Sequence, residues 1–173
     1  MSEKDDSLLA PYEDRRVLVT GGTGYIGSGL VLALKAVRCQ IVLLVRLGRS
    51  VPLEADTAAE ISVIPGDIRD RETWDRALDG VDYVFHLAAR AGVREGWTAA
   101  NYSRYLHDNC LSTQRLAEAA LSSGVKLFSF ASTSSIYGFD PELPTREDHP
   151  LRPRSFYAMT KLMDENVLTG FHQ

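Results

Sequence analysis

Arg16-Val17-Leu18-Val19-Thr20-Gly21-Gly22-Thr23-Gly24-Tyr25-Ile26-Gly27 joins a short apolar run to a glycine-rich turn. A continuous β-branched and aliphatic run that ends in glycine reads as a strand buried on both faces. Beyond the turn, Ile26, Leu30, Ala33, Leu34 and Val37 recur at helical spacing and predict a helix from Tyr25 to about Val37. Outward from this unit the same two patterns alternate. Ile41 to Val45, Ile61 to Ile64, a stretch within Val81 to Leu87, and Val125 to Phe130 read as further strands. Arg71 to Leu78, Tyr102 to Ser123, and a segment starting near Phe156 read as helices. The prolines at 141, 144, 150 and 153 mark a loop, and Met1 to about Asp14 reads as a flexible lead-in to a domain spanning 15–173. Buried-type strands alternating with helices predict an α/β fold with a doubly wound parallel sheet. Such a fold takes its ligands at the carboxyl ends of the strands.

The bulk composition narrows the function. The 173 residues, 45% hydrophobic and 24% charged, suffice for one domain with a real core. A net charge of -4 without a Lys/Arg run argues against a nucleic-acid partner. No apolar stretch approaches the ~18 residues of a membrane span. The start Met1-Ser2-Glu3-Lys4-Asp5-Asp6 is too acidic for a secretory signal. Cys39 and Cys110 lack metal-site or redox spacing, so reduced thiols, no metal and a cytoplasmic setting are the expectation.

In the turn, Gly21 permits the tight bend, Gly24 lets backbone approach a pyrophosphate, and Gly27 lets helix pack on strand. Helix N-terminal N–H groups, those of Tyr25 and Ile26 among them, then face the phosphates. The spacing GxxGxxG resembles the short-chain dehydrogenase/reductase superfamily, in particular its extended branch of nucleotide-sugar epimerases and dehydratases. That resemblance implies a Rossmann fold and a bound NAD. It also implies that Asp67 and Ile68, within Gly66-Asp67-Ile68-Arg69-Asp70, contact the adenine. Leu87, Ala88 and Ala89 would let backbone lie along the dinucleotide, and Asn109 would support the active site from within a helix.

Tyr157-Ala158-Met159-Thr160-Lys161 places a phenol and an ammonium on one helix face. A nearby ammonium is expected to favour phenolate and lower the tyrosine pKa, making a general base. Upstream, Ser132-Thr133-Ser134-Ser135-Ile136-Tyr137-Gly138 resembles the family segment that supplies a hydroxyl to the reacting oxygen. Counting back from Gly138 selects Thr133, with Ser132 and Ser134 beside it. The resemblance implies that Tyr157 removes a proton from a sugar hydroxyl while hydride passes to the nicotinamide. Thr133 would then hold the oxygen, and Lys161 would hold the nicotinamide ribose.

Dehydratases of this branch carry an Asp-Glu pair after the hydroxyl residue; here Ser134 and Ser135 stand there, which favours a 4-epimerase acting on a nucleotide-diphosphate sugar. Leu87 to Arg94 resembles the segment of UDP-glucuronate-type 4-epimerases, and Arg94 suits a substrate carboxylate or phosphate. Arg46, at the end of the second strand, stands where NAD-preferring relatives carry an acidic residue. Together with Arg49 it suits a 2′-phosphate, so NADP and a reductase form the second reading. A third is a binding domain without catalysis. In the family the YxxxK helix leads on to a substrate-binding region, so a chain stopping at Gln173 is expected to lack that lobe. Homodimerisation through the two long helices is a further implication of the resemblance.

Overall fold

Val17, Leu18, Val19 and Thr20 are all fully buried, as a strand covered on both faces requires. The computed structural model describes residues 8–48, 61–92 and 98–172. Its strands are β1 (Arg16–Thr20), β2 (Gln40–Val45), β3 (Ile61–Pro65), β4 (Tyr83–His86) and β5 (Leu127–Phe130). They form one parallel sheet in the order β3-β2-β1-β4-β5. The helices are α1 (Tyr25–Ala36), α2 (Arg71–Ala77), α3 (Ala99–Tyr105), α4 (Ser112–Ser122) and α5 (Phe156–Phe171).

Successive side chains of β1 serve opposite layers, because a strand alternates its faces. Leu18 packs with Val42, Leu44 and Val84 against Trp74 of α2 and against Leu116 and Ala120 of α4. Val17 and Val19 pack with Ile41, Leu43 and Val45 against Val31 and Leu34 of α1. Helices therefore cover both faces, and the sheet is doubly wound. Strand order reverses beside β1, so the chain leaves β1 toward one side and β4 toward the other. That divergence at the carboxyl ends is the topological switch point where such sheets bind ligands.

The chain groups into two compact units, Met1–Ala88 with Leu116–Ala131 and Ala89–Arg115 with Ser132–Gln173. The first contains the sheet. Within its expected lead-in, the Tyr12 ring meets Tyr83 edge-on and Phe85 at a tilt, both at 5.5 Å between centroids. Buried contact thus starts before β1. The second unit contains α3, a π-helical segment at Leu106–Leu111, a 3₁₀ turn at Ser134–Tyr137, and α5. The π segment interrupts what the apolar spacing presents as one uniform helix. Ser155 caps α5, its hydroxyl accepting the Ala158 N–H at 3.1 Å.

Among the described residues, no helix is long and apolar enough to cross a membrane. No group of three His, Cys, Asp or Glu among them could hold a metal ion.

Candidate active site

The glycine turn of the first unit is shaped by backbone contacts. Gly21 sits at φ 72°, and a Cβ there would stand 2.7 Å from the Ala88 nitrogen. A Cβ on Gly27 would collide with the Gly21 carbonyl oxygen. The same juncture is tied by Thr20, whose Oγ1 accepts the Ala88 N–H at 3.2 Å. Thr20 Oγ1 is also hydrogen-bonded to His86 Nδ1 at 2.7 Å. The His86 ring lies stacked on Phe130, with centroids 5.9 Å apart. His86 is therefore a buried brace of the β1–β4 junction, and Leu87 and Ala88 follow it at that edge.

At the start of α1, the N-cap residue Gly24 supplies no side chain to bond the first N–H groups, which have no acceptor within the helix. Tyr25 and Ile26 are 97% and 69% exposed there. The stripe that α1 buries runs through Gly27, Val31 and Leu34, with Ile26 outside it. Asp67 is held by Arg69: Oδ1 accepts from the Arg69 N–H at 2.9 Å and Nε at 2.8 Å, and Oδ2 accepts from Nη2 at 2.6 Å. That pairing, with Arg46 adding to the field, holds the Asp67 carboxyl below its ordinary value. Ile68 packs against the sheet core. Arg46 is exposed just past β2. Arg49 and Arg94 lie outside the described residues.

The second unit contains all three catalytic candidates, Thr133, Tyr157 and Lys161. The Thr133 side chain stands near enough to the Tyr157 phenol to favour its deprotonation. Thr133 Oγ1 also accepts the Ser135 N–H at 3.2 Å, as the N-cap of the 3₁₀ turn. Ser134 is exposed, and the buried Ser132 Oγ has no partner. Lys161 lies one turn beyond Tyr157 on α5 and is buried.

Asn109, in the π segment, fixes this helix from the side. Its Nδ2 donates to Thr160 Oγ1 at 3.0 Å and to the Arg90 carbonyl at 3.3 Å, while Oδ1 accepts the Arg90 N–H at 2.8 Å. Thr160 Oγ1 in turn donates to the Tyr157 carbonyl at 2.9 Å. Ala89 lies half-buried next to Arg90. Arg90 also pairs with Asp108 at 2.6 Å.

A profile of the NAD dependent epimerase/dehydratase family matches residues 17–173. The chain belongs to that family. UDP-glucose 4-epimerase of Neisseria meningitidis serogroup A is 37% identical over 167 residues, 92% of this chain and 49% of that protein. Epimerase Mth375 of Methanothermobacter thermautotrophicus superposes with a TM-score of 0.86 at 30% identity, covering 98% of this chain and 51% of the other. MoeE5, solved in complex with UDP-glucose and NAD, gives a TM-score of 0.79 at 38% identity, over 90% of this chain and 48% of its own. The chain spans about half the length of the relatives it matches.

One electrostatic expectation for this member of the epimerase/dehydratase family is overturned. Tyr157 is held above its ordinary pKa, not below it. Burial of the phenol is the largest cause; Thr133 works against it, and Tyr105 and Asp164 add to it. The Lys161 charge acts instead on Asp164 and Cys110. Asp164 went unremarked in the sequence, although it stands three residues past Lys161, on the same helix face. Its burial is a property of the folded unit, and no periodicity announces it.

Proposed function

We propose that this chain supplies the dinucleotide-binding and proton-transfer machinery of a nucleotide-sugar 4-epimerase that works with NAD. The observation that carries the reading is the Thr133–Tyr157 hydroxyl pair, with Lys161 one turn further along α5. A pure binding domain has no need of it. The residues present fit the dinucleotide: the first turn of a twelve-residue helix is uncapped and opens beside a glycine turn. Gly24, Tyr25 and Ile26 would hold the pyrophosphate, Asp67 and Ile68 the adenine, and Leu87 to Ala89 the middle of the cofactor. Asn109 and Lys161 complete the set. When bound, the nicotinamide supplies the hydride acceptor and donor.

The chain's own groups do the rest. Thr133 Oγ1 accepts from Ser135, so its single proton points to the Tyr157 oxygen and would pass to the sugar oxygen when a substrate lies between them. Tyr157 exchanges a proton with that oxygen. Held above its ordinary value, the phenol keeps its proton at neutral pH and is set to return one to an alkoxide. For the oxidation half the phenol must first give up its proton, which the positive charge of an oxidised nicotinamide beside it would favour; the Tyr157 oxygen would then take the proton of the sugar hydroxyl. Oxidation at the sugar carbon, turnover of the keto-sugar, and reduction on its other face complete an epimerisation.

The test is direct. The chain is mixed with NAD and UDP-glucose, and the near-ultraviolet absorbance of reduced nicotinamide is followed. Transient reduction that Tyr157→Phe abolishes supports the reading. Demonstrable NAD binding with no reduction by any nucleotide sugar supports a binding domain instead. Arg46, exposed at the end of β2, favours a second reading in which NADP is the cofactor of a reductase. Its field acts on Asp67, however, so that charge already has a use within the chain. Tighter binding of NADP than of NAD would reverse the choice. Self-association belongs to the same proposal: Leu111, Met159 and Met163 are exposed apolar side chains of the second unit, and sedimentation measures whether they pair.

A further inference from the structure

Asp164 and Lys161 are three residues apart on α5, and both side chains are withdrawn from water, at 1% and 2% exposure. Among the described residues no N–H or O–H donor meets either carboxylate oxygen of Asp164, and only the weak Cys110 thiol donor faces it. An ionised carboxylate removed from water without compensation is destabilising by several kcal/mol. Each such group in a folded chain therefore calls for an explanation. The groups that face it are the Lys161 ammonium on its own helix and the Cys110 thiol from the π segment. Glu165 acts on the same lysine, and Tyr105 from α3 acts on Tyr157.

We infer that Asp164 is a positioning residue for Lys161, the two buried side chains sharing one face of α5, so that the proton-transfer group is a Tyr157–Lys161–Asp164 array. The catalytic meaning of this array rests on the epimerase reading above; the charge relationship does not. Burial is the largest influence on Lys161 and works against its ammonium, while Asp164 is the foremost group opposing it. The same carboxylate raises Tyr157. One buried anion therefore acts on both members of the pair. A Cys110 thiol pushed up to about 12 adds no second negative charge at neutral pH.

The experiment labels the lysine Cε positions of the full chain with carbon-13 and follows them by NMR across pH. Only Lys4, Lys35 and Lys126 accompany Lys161, and Lys161→Arg identifies its resonance by loss. In the native chain the Lys161 resonance moves in a step near pH 6, where Asp164 gives up its proton, and again when the lysine itself titrates. In Asp164→Asn and Asp164→Leu the first step disappears and the second moves to lower pH. Should both variants fail to fold, the native step decides alone. Its absence, or an unchanged lysine titration in a folded variant, overturns the inference. Loss of the sugar-dependent reduction test with these titrations intact would remove the epimerase reading and leave the charge relationship standing.

Discussion

Asn109 Nδ2 donates to Thr160 Oγ1 at 3.0 Å, and Thr160 immediately precedes Lys161. The side chain of a π-helical residue thereby fixes the helix that carries the proton-transfer groups. Asn109→Leu preserves the size of the residue but strips partners from the Arg90 backbone groups and from Thr160. Stability falls by about 2–3 kcal/mol, from buried groups left without hydrogen bonds. A urea titration measures it as a lower midpoint at unchanged slope. A variant as stable as the parent would show that these three bonds contribute nothing.

Two glycines of α1 respond in opposite directions to the same methyl group. At Gly27 the added Cβ runs into the Gly21 carbonyl, and Gly27→Ala lowers stability by about 1–3 kcal/mol and weakens NAD binding. At Gly29 a Cβ meets nothing within 4 Å, so Gly29→Ala raises stability by up to about 1 kcal/mol through helix propensity. Thermal melts of both, with calorimetric titration of NAD, test the pair together.

Tyr157 and Thr133 separate by function. Tyr157→Phe removes the proton carrier and lowers the rate of sugar-dependent reduction by about a hundredfold or more. NAD affinity remains close to that of the parent. Thr133→Val gives a partial loss, and Thr133→Ser, which keeps the hydroxyl, restores most of it. Equal rates for Val and Ser at this position would remove Thr133 from the mechanism.

Asp164 makes stability depend on pH. Its carboxyl is raised from 3.8 to about 6 by burial, so the folded state binds the proton more tightly than the unfolded state. The resulting stabilisation is complete below 3.8 and is lost as pH rises through about 6. The loss is at most about 3 kcal/mol. Denaturant midpoints across that window fall for the parent relative to Asp164→Leu, which lacks the titrating group. Parallel profiles for the two proteins would contradict the assignment.

The sheet was legible in the sequence because its strands are buried on both faces and read as unbroken apolar runs, Val17–Leu18–Val19 most clearly. Gly21, Gly27, Thr133, Tyr157 and Lys161 announce themselves by spacing along the chain. What spacing does not carry is the environment that folding creates. The π segment leaves the apolar pattern of the long helix intact, and only the odd Asn109 hinted that the run was not uniform. The phenol's pKa departs from what its spacing to Lys161 implies because burial, which spacing does not show, is the largest influence on it. On α1, Ile26 matches the helical stripe in sequence, yet it is 69% exposed, outside the stripe that the helix buries.

The glycine turn also limits what its own presence means. Gly21 is required by Ala88 and Gly27 by Gly21, so both answer to the packing of this chain on itself. Gly24 is exposed, and a Cβ there approaches only the Gly21 carbonyl, at 3.2 Å. A descendant that had abandoned its ligand would still be obliged to keep the outer two glycines. The middle one, where a Cβ needs the Gly21 carbonyl to give by only a few tenths of an ångström, would be freer to drift. Gly24 is therefore the position at which a lineage would record whether a dinucleotide still occupies the turn.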